Sequence, residues 1–300
     1  MAIRETKQPL AWQSKTILLL VVPWTAGYVL LQAHWWWGQV PLVAYTTLGI
    51  SAIFGLIVWW LRAGTLGAAA TGAAITASLM FSTASYPYQY SWLHGGLMPL
   101  LAVFLLAFAA TKVGGAKKER LGTAEAKRGR SAAQVAANLG VAALLAIPAR
   151  MALPNSREAD TVSIWGQLLA IAALAEAAAD TVSSEIGQVL GGEPRMITTF
   201  RRVAPGTDGG ITLAGTAAGI VAAVIVAGLG TWLMGWNLLD FACCTGGAVF
   251  GLLFDSLLGA TVERKRWLNN DAVNFLSTLS APVAMAVLMV LVAIRHGNLR

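Results

Sequence analysis

Residues 174–187 read "LAEAAADTVSSEIG". They close a run apolar enough for lipid, yet they carry Glu176, Asp180 and Glu185. An ionised acid at mid-bilayer costs roughly 2.5–3.5 kcal/mol on insertion scales, so such residues usually face a cavity, a partner or an ion. What surrounds them decides the reading. The chain has 300 residues, 57% hydrophobic and 12% charged, with a mean hydropathy of +0.65. Its apolar stretches recur along the whole length, which marks an all-α, polytopic membrane protein.

Runs long enough to span centre on 16–33, 41–61, 65–82, 92–111, 132–149, 163–182, 210–234, 238–258 and 273–294, predicting about nine transmembrane helices. The first follows Arg4, Lys7 and Lys15 like a signal sequence, but no A-x-A-like site closes it, so a retained helix is expected. With the N-terminus in the cytoplasm, 17 of the 21 Lys and Arg residues fall on the inside. That asymmetry supports the orientation and the odd number of spans together. It also explains the net charge of +7 without nucleic acid as a partner. Trp35, Trp36, Trp37, Trp59 and Trp60 sit at expected span ends and fit interfacial belts. Stretches such as "TLGAAATGAAITAS" and "GTAAGIVAAVIVAG" are read as close-packing helix faces. A single integral-membrane domain over 1–300 is expected, with helices 1–4 (1–110) less specific and the motif-bearing part at 111–275. Cys243 and Cys244 are adjacent in an apolar run and imply neither a disulfide framework nor a thiolate metal site. The three scattered histidines support no metal cluster or catalytic triad.

On this topology the polar clusters gather on the inner face. Arg130, Gln134 and Asn138 step by four and share a helix face, as do Glu176, Asp180 and Ser184. "APGTDGG" precedes one helix, "FDSLLGA" closes another, and "NNDAVN" opens the last, with Asn270 and Asn274 four apart. Asp180 and Glu185 with Asp255 form a candidate Mg²⁺ set, because a hard cation prefers oxygen ligands. The alternative, that each acid pairs with an arginine or reaches the aqueous boundary, stands beside it. "PGTDGG" is a Gly-rich turn suited to an anionic phosphate, although Pro-Gly also marks ordinary turns. No Walker-type loop is present. Lys112, Lys117, Lys118, Arg128 and Arg130 are candidates to neutralise phosphate charge, or are simply positive-inside loop residues.

Six stretches, "ATKVGGAKK", "RGRSAAQVAAN", "ADTVSSEIG", "ITTFRRVAPGTDGGITLAG", "FDSLLGATVE" and "NNDAVNF", occur in an order that resembles one integral-membrane family. It includes the plant phytyl-phosphate kinase of vitamin E synthesis and the eukaryotic transmembrane protein nineteen. The resemblance covers about residues 110–275. "GTDGGIT" is closer to the bacterial and transmembrane-protein-nineteen branch, and Leu252 stands where the pattern has a small polar residue. The resemblance implies transfer of a phosphoryl group from a nucleoside triphosphate, with CTP the expected donor, to a prenyl monophosphate. Under it, Asp180, Glu185 and Asp255 hold the metal. Lys118 and Arg130, with Lys112, balance charge on the transferring group. Pro205, Gly206, Thr207, Gly209 and Gly210 cradle phosphates, and Gln134, Asn138, Ser184, Ser256, Asn270 and Asn274 orient nucleotide or acceptor. A CTP-dependent lipid-phosphate cytidylyltransferase and an ion-coupled transporter remain the competing readings.

Overall fold

A chain that lies in lipid must satisfy its backbone polar groups within itself, and this one does so with helices. The computed structural model describes residues 12–84, 96–123, 129–147 and 157–295. Among them are ten α-helices: α1 Trp12–Gln39, α2 Pro41–Trp60, α3 Leu66–Ser82, α4 Leu97–Lys112, α5 Gly115–Leu121, α6 Ala132–Leu145, α7 Arg157–Leu190, α8 Leu213–Leu233, α9 Leu238–Leu258 and α10 Asn270–Arg295. A π-helical turn, Gly259–Glu263, extends α9, and the short strands β1 (Arg195–Met196) and β2 (Gly210–Ile211) pair antiparallel between α7 and α8. Local chemistry sets several boundaries. Pro41 opens α2 where its missing N–H costs nothing. Ser131 with Gln134 and Asn237 with Asp240 form capping boxes at the starts of α6 and α9.

Each of the nine expected apolar segments holds a helix. Six helices are long and apolar enough to cross a membrane, and the pair α4–α5, bent by 66°, makes a seventh if counted as one span. Helices α3 and α6, of 17 and 14 residues, run only about 25 and 21 Å, short of a hydrocarbon core of about 30 Å. The bend after α4 falls at Gly114, whose φ is +65° and whose Cβ position lies 2.5 Å from a methyl of Val189. Only glycine fits there. The polar segment after α4 is therefore partly helical, while residues 124–128 of it lie outside the described residues.

The helices alternate in direction, so that the starts of α1, α3, α6, α8 and α10 meet the ends of α2, α4, α7 and α9 at one face. Contacts distant in sequence establish this. Ser14 Oγ donates to Asp271 Oδ2 at 2.5 Å, and Asn269 reaches back to both Gln13 and Ser14, tying the start of α1 to that of α10. Thr65 N–H donates to the Arg130 carbonyl at 2.9 Å, and Arg130 N–H to the Ala63 carbonyl at 3.0 Å, pinning the α2–α3 turn to the start of α6.

Helix α7 runs through the centre, packed against α4, α6, α8, α9 and α10. Its Ala172, Ala173, Ala175, Ala178 and Ala179 are buried, and α8 presents Gly215 and Gly219 to them. A Cβ at Gly219 would stand 2.7 Å from the Ala179 carbonyl oxygen and 2.9 Å from Ser183 Cβ; one at Gly215 would stand 2.6 Å from the Ser183 carbonyl oxygen. Close backbone approach is how membrane helices gain packing energy without a hydrophobic drive. The outer faces carry the large apolar side chains, Leu19, Leu30 and Leu213 among them. One tryptophan departs from the belt reading. Trp35 and Trp37 are exposed, but Trp36 is buried beside Tyr28, Val43 and Phe81. Three consecutive residues of a helix cannot share one face at 3.6 residues per turn.

Gly219→Ile should cost about 1–3 kcal/mol or more by overpacking. The expected outcome is a lower thermal midpoint of the detergent-purified protein, with Gly49→Ala, where a Cβ meets nothing within 4 Å, leaving it unchanged.

Candidate active site

At the face where the helix ends meet, a cavity of about 380 Å³ opens among α6, α7, the β1–β2 hairpin, the end of α9 and the start of α10. Every site residue expected from the sequence lines it except Lys112 and Lys118. Those two line a neighbouring, mainly apolar cavity of about 520 Å³ between α2, α3, α4 and α6. Arg130 and Asn138 belong to both walls.

The acids come from separate elements. Asp180 projects from α7, Asp255 from α9, Glu263 from the π-helical turn and Asp208 from the hairpin. Asp180 and Glu176 both lie within electrostatic range of Asp255, and Glu263 within range of Asp180 and Asp208. Arg130 faces Asp180, and its Nη2 lies 3.4 Å from Thr181 Oγ1. Asp255 Oδ2 is buried without a hydrogen-bond partner among the described residues. Glu176 sits one turn below Asp180, fully buried, and its Oε2 accepts from Thr278 Oγ1 at 2.7 Å. Gly251 makes room for it, since a Cβ there would lie 2.6 Å from Glu176 Cγ.

Glu185 departs from the expected metal set. Its Oε2 lies 2.5 Å from Lys118 Nζ, and Thr111 Oγ1 donates to its Oε1 at 3.3 Å. Lys118 is itself 1% exposed and also donates to the carbonyls of Ala110 (2.8 Å) and Thr111 (3.2 Å). An ammonium has three donors, and all three are spent joining the end of α4 to α7. Lys118 is thus a buried tie rather than a cation aimed into the acid cavity. Lys112 lies with its Nζ 5.2 Å from the Phe108 ring centroid, on the apolar side. Among the described residues no group of three or more His, Cys, Asp or Glu is arranged to hold a metal ion, so the three-carboxylate set is not assembled. Asp180 and Asp255 remain a pair. A Mg²⁺ ion is commonly held by one or two carboxylates together with substrate phosphates and water, and the partnerless Asp255 oxygen suits that role.

The glycine turn also differs from its expected form. Gly206 (φ +80°) and Gly209 (φ +75°) take left-handed conformations, and a Cβ at Gly209 would lie 2.4 Å from the Ala260 nitrogen. The turn therefore packs directly on the π-helical turn that carries Glu263. It does not run straight into α8, because β2 intervenes and Thr212 caps the helix by accepting from Gly215 N–H at 3.1 Å. Thr207 N–H and Gly210 N–H donate to the carbonyls of Ala204 and Thr207, and Thr207 Oγ1 donates to Ala204. These groups are occupied in shaping the loop, so the phosphate cradle read from Thr207 and Gly210 is not present in this conformation. Pro205 and the glycines stand at the cavity rim.

The amides divide similarly. Gln134 Oε1 accepts from Ser131 N–H at 2.7 Å in the capping box, and Asn138 Nδ2 donates to the Gln134 carbonyl at 2.9 Å. Ser184 Oγ donates to Thr181 and Ser256 Oγ to Leu252, both carbonyls of their own helices. Asn270 and Asn274 line the cavity, whereas Asn269 and Asp271 between them hold α1. Glu263 and Asp208 were not among the expected site residues. Both lie inside motifs quoted above, Asp208 in the glycine turn and Glu263 at the end of "FDSLLGATVE", and an acid within such a motif is the signal that could have found them.

The architecture is that of a polytopic helical membrane protein with an acid-bearing polar cavity at one face. The chain belongs to the family described as Integral membrane protein DUF92, which matches residues 49–282. The membrane protein MJ0933 of Methanocaldococcus jannaschii is 38% identical over 61% of this chain and 71% of its own length. The membrane protein sll0875 of Synechocystis is 31% identical over 67% of this chain and 80% of its own. Protein VTE6, chloroplastic, of Arabidopsis thaliana is 30% identical over 78% of this chain and 69% of its own. The family resemblance carried by the motifs therefore holds. No solved structure matches the chain.

Removing either partner of the buried Lys118–Glu185 pair should destabilise the protein by about 3–5 kcal/mol, and replacing both by apolar residues should recover most of that. Thermal midpoints of Glu185→Leu, Lys118→Met and the double variant test this. A single Glu185→Leu variant as stable as wild type contradicts it.

Proposed function

We propose that the protein transfers the γ-phosphoryl group of a nucleoside triphosphate, with CTP the expected donor, to a prenyl monophosphate. The observation that carries this reading is the meeting of Asp180, Asp255, Glu263 and Arg130 in one polar cavity whose wall is shared with an apolar one. Nucleotide phosphates need charge neutralisation and a lipid acceptor needs an apolar berth, and the two lie side by side. We place this face in the cytoplasm, with the N-terminus and an odd number of spans, on the positive-inside asymmetry of the sequence.

In the proposed step an oxygen of the acceptor phosphate attacks the γ-phosphorus and the bond to the β-phosphate oxygen breaks, releasing the nucleoside diphosphate. A phosphate monoester is mostly dianionic near neutral pH, its second pKa being about 6, so no strong general base is required. Asp180 and Asp255 would hold Mg²⁺, which would supply charge neutralisation for the phosphates. Arg130 offers a planar, permanently charged fork to phosphate oxygens. Its backbone bonds to Ala63 and Thr65 fix where that fork starts. Asn270 and Asn274 supply amide groups that orient the bound phosphate or nucleotide.

Asp180→Asn should lower turnover by about 10²-fold or more, the size seen when a charge-stabilising group is removed, while the protein still folds and inserts. The measurement uses detergent-purified protein with labelled CTP, Mg²⁺ and geranylgeranyl or phytyl monophosphate. Full activity of the variant removes Asp180 from the site. Release of pyrophosphate in place of CDP identifies a cytidylyltransferase, and no nucleotide consumption with any prenyl phosphate favours a carrier.

A further inference from the structure

The larger cavity runs away from the polar site into the bundle. Its walls are apolar, with Phe54, Val58, Leu100, Val103 and Phe104 among them, and its mouth carries Arg62, Lys112 and the shared Arg130 against a single acid, Glu119, with Lys118 already paired to Glu185. Along α4 the lining extends from Lys112 to Leu100, a depth of about 18 Å at 1.5 Å per residue. Basic groups at the mouth and none deeper match an occupant with an anionic head and a long apolar tail. A volume of about 520 Å³ falls in the range of single small-molecule sites, which suits one chain rather than two. About halfway down, Gly72 of α3 faces Phe54 of α2. A Cβ at Gly72 would lie 3.9 Å from Phe54 Cε1, with nothing nearer, so a larger side chain there grows into the groove.

We infer that this groove holds the hydrocarbon tail of a single-chain anionic lipid whose head lies at Arg130, and that Gly72 opposite Phe54 sets how long a tail it admits. The inference rests on the prenyl-phosphate reading for the head group and adds where the tail lies and what limits it. It does not depend on the nucleotide.

The test measures binding without nucleotide, by native mass spectrometry of the full-length detergent-purified chain with geranyl, farnesyl and geranylgeranyl monophosphates. Gly72→Leu should keep geranyl phosphate binding within twofold of wild type and weaken geranylgeranyl phosphate binding at least tenfold. Should Gly72→Leu not fold, Gly72→Ala gives a smaller fall in the same order. Unchanged geranylgeranyl phosphate binding in a folded variant overturns the inference, as does equal competition by dioleoyl phosphatidic acid. Chain-length-dependent binding without phosphoryl transfer leaves the groove standing and removes the kinase reading. Phosphoryl transfer whose chain preference ignores Gly72 does the reverse.

Discussion

Everything at the polar face depends on how closely α7 approaches its neighbours. Buried carboxylates within a membrane bundle are tolerable only when partners or solvent stand close by. Here the partners arrive because α7 offers alanines and the neighbouring helices offer glycines. Gly215 and Gly219 let α8 lie against the backbone of α7, and Gly251 admits the Glu176 side chain beneath α9. Wider spacing would separate Asp180 from Asp255 and leave Glu176 without Thr278. The small-residue stripes and the acids are therefore one design feature, in which packing density is the condition for electrostatics.

This answers the puzzle of residues 174–187. The three acids have three different solutions within three turns of one helix. Glu176 is held by a hydroxyl from α10, Asp180 opens to the cavity opposite Arg130, and Glu185 is closed by Lys118. Their spacing explains the division. Glu176 and Asp180, four apart, share a face toward α9, whereas Glu185, five further on, turns toward α4. A helix period thus separates residues that composition alone groups together.

Much of the site was legible because membrane topology is a strong constraint. Once the spans are placed, alternation forces the ends of α7 and α9 and the starts of α6 and α10 to one side, and the polar clusters collect there without any knowledge of contacts. What pattern could not reveal was partner choice. Lys118 is one of several basic residues in a loop, and nothing local shows that it folds back onto the carbonyls of Ala110 and Thr111. The "PGTDGG" run reads as the opening of a helix, yet it ends in a strand, and Ile211 of that strand and the Thr212 cap separate it from α8. Glu263 is likewise aimed by a π-helical turn, a local departure from 3.6 residues per turn that no periodicity anticipates.

Arg130 shows how backbone and side chain are combined. Gly129, with φ +72° and a Cβ position 2.4 Å from the Ala63 carbonyl carbon, brings the chain against the α2–α3 turn, and the bonds to Ala63 and Thr65 lock it there. The side chain then leaves a fixed point on the wall between an apolar cavity and a polar one. A guanidinium is charged at any accessible pH and more weakly hydrated than an ammonium, so it tolerates such a boundary better than lysine does. Lys118, the more strongly hydrated ion, is instead enclosed by a carboxylate and two carbonyls. Fixed oxygens thus replace the water around Lys118, and Arg130 is left as the charge standing where the apolar and polar cavities meet.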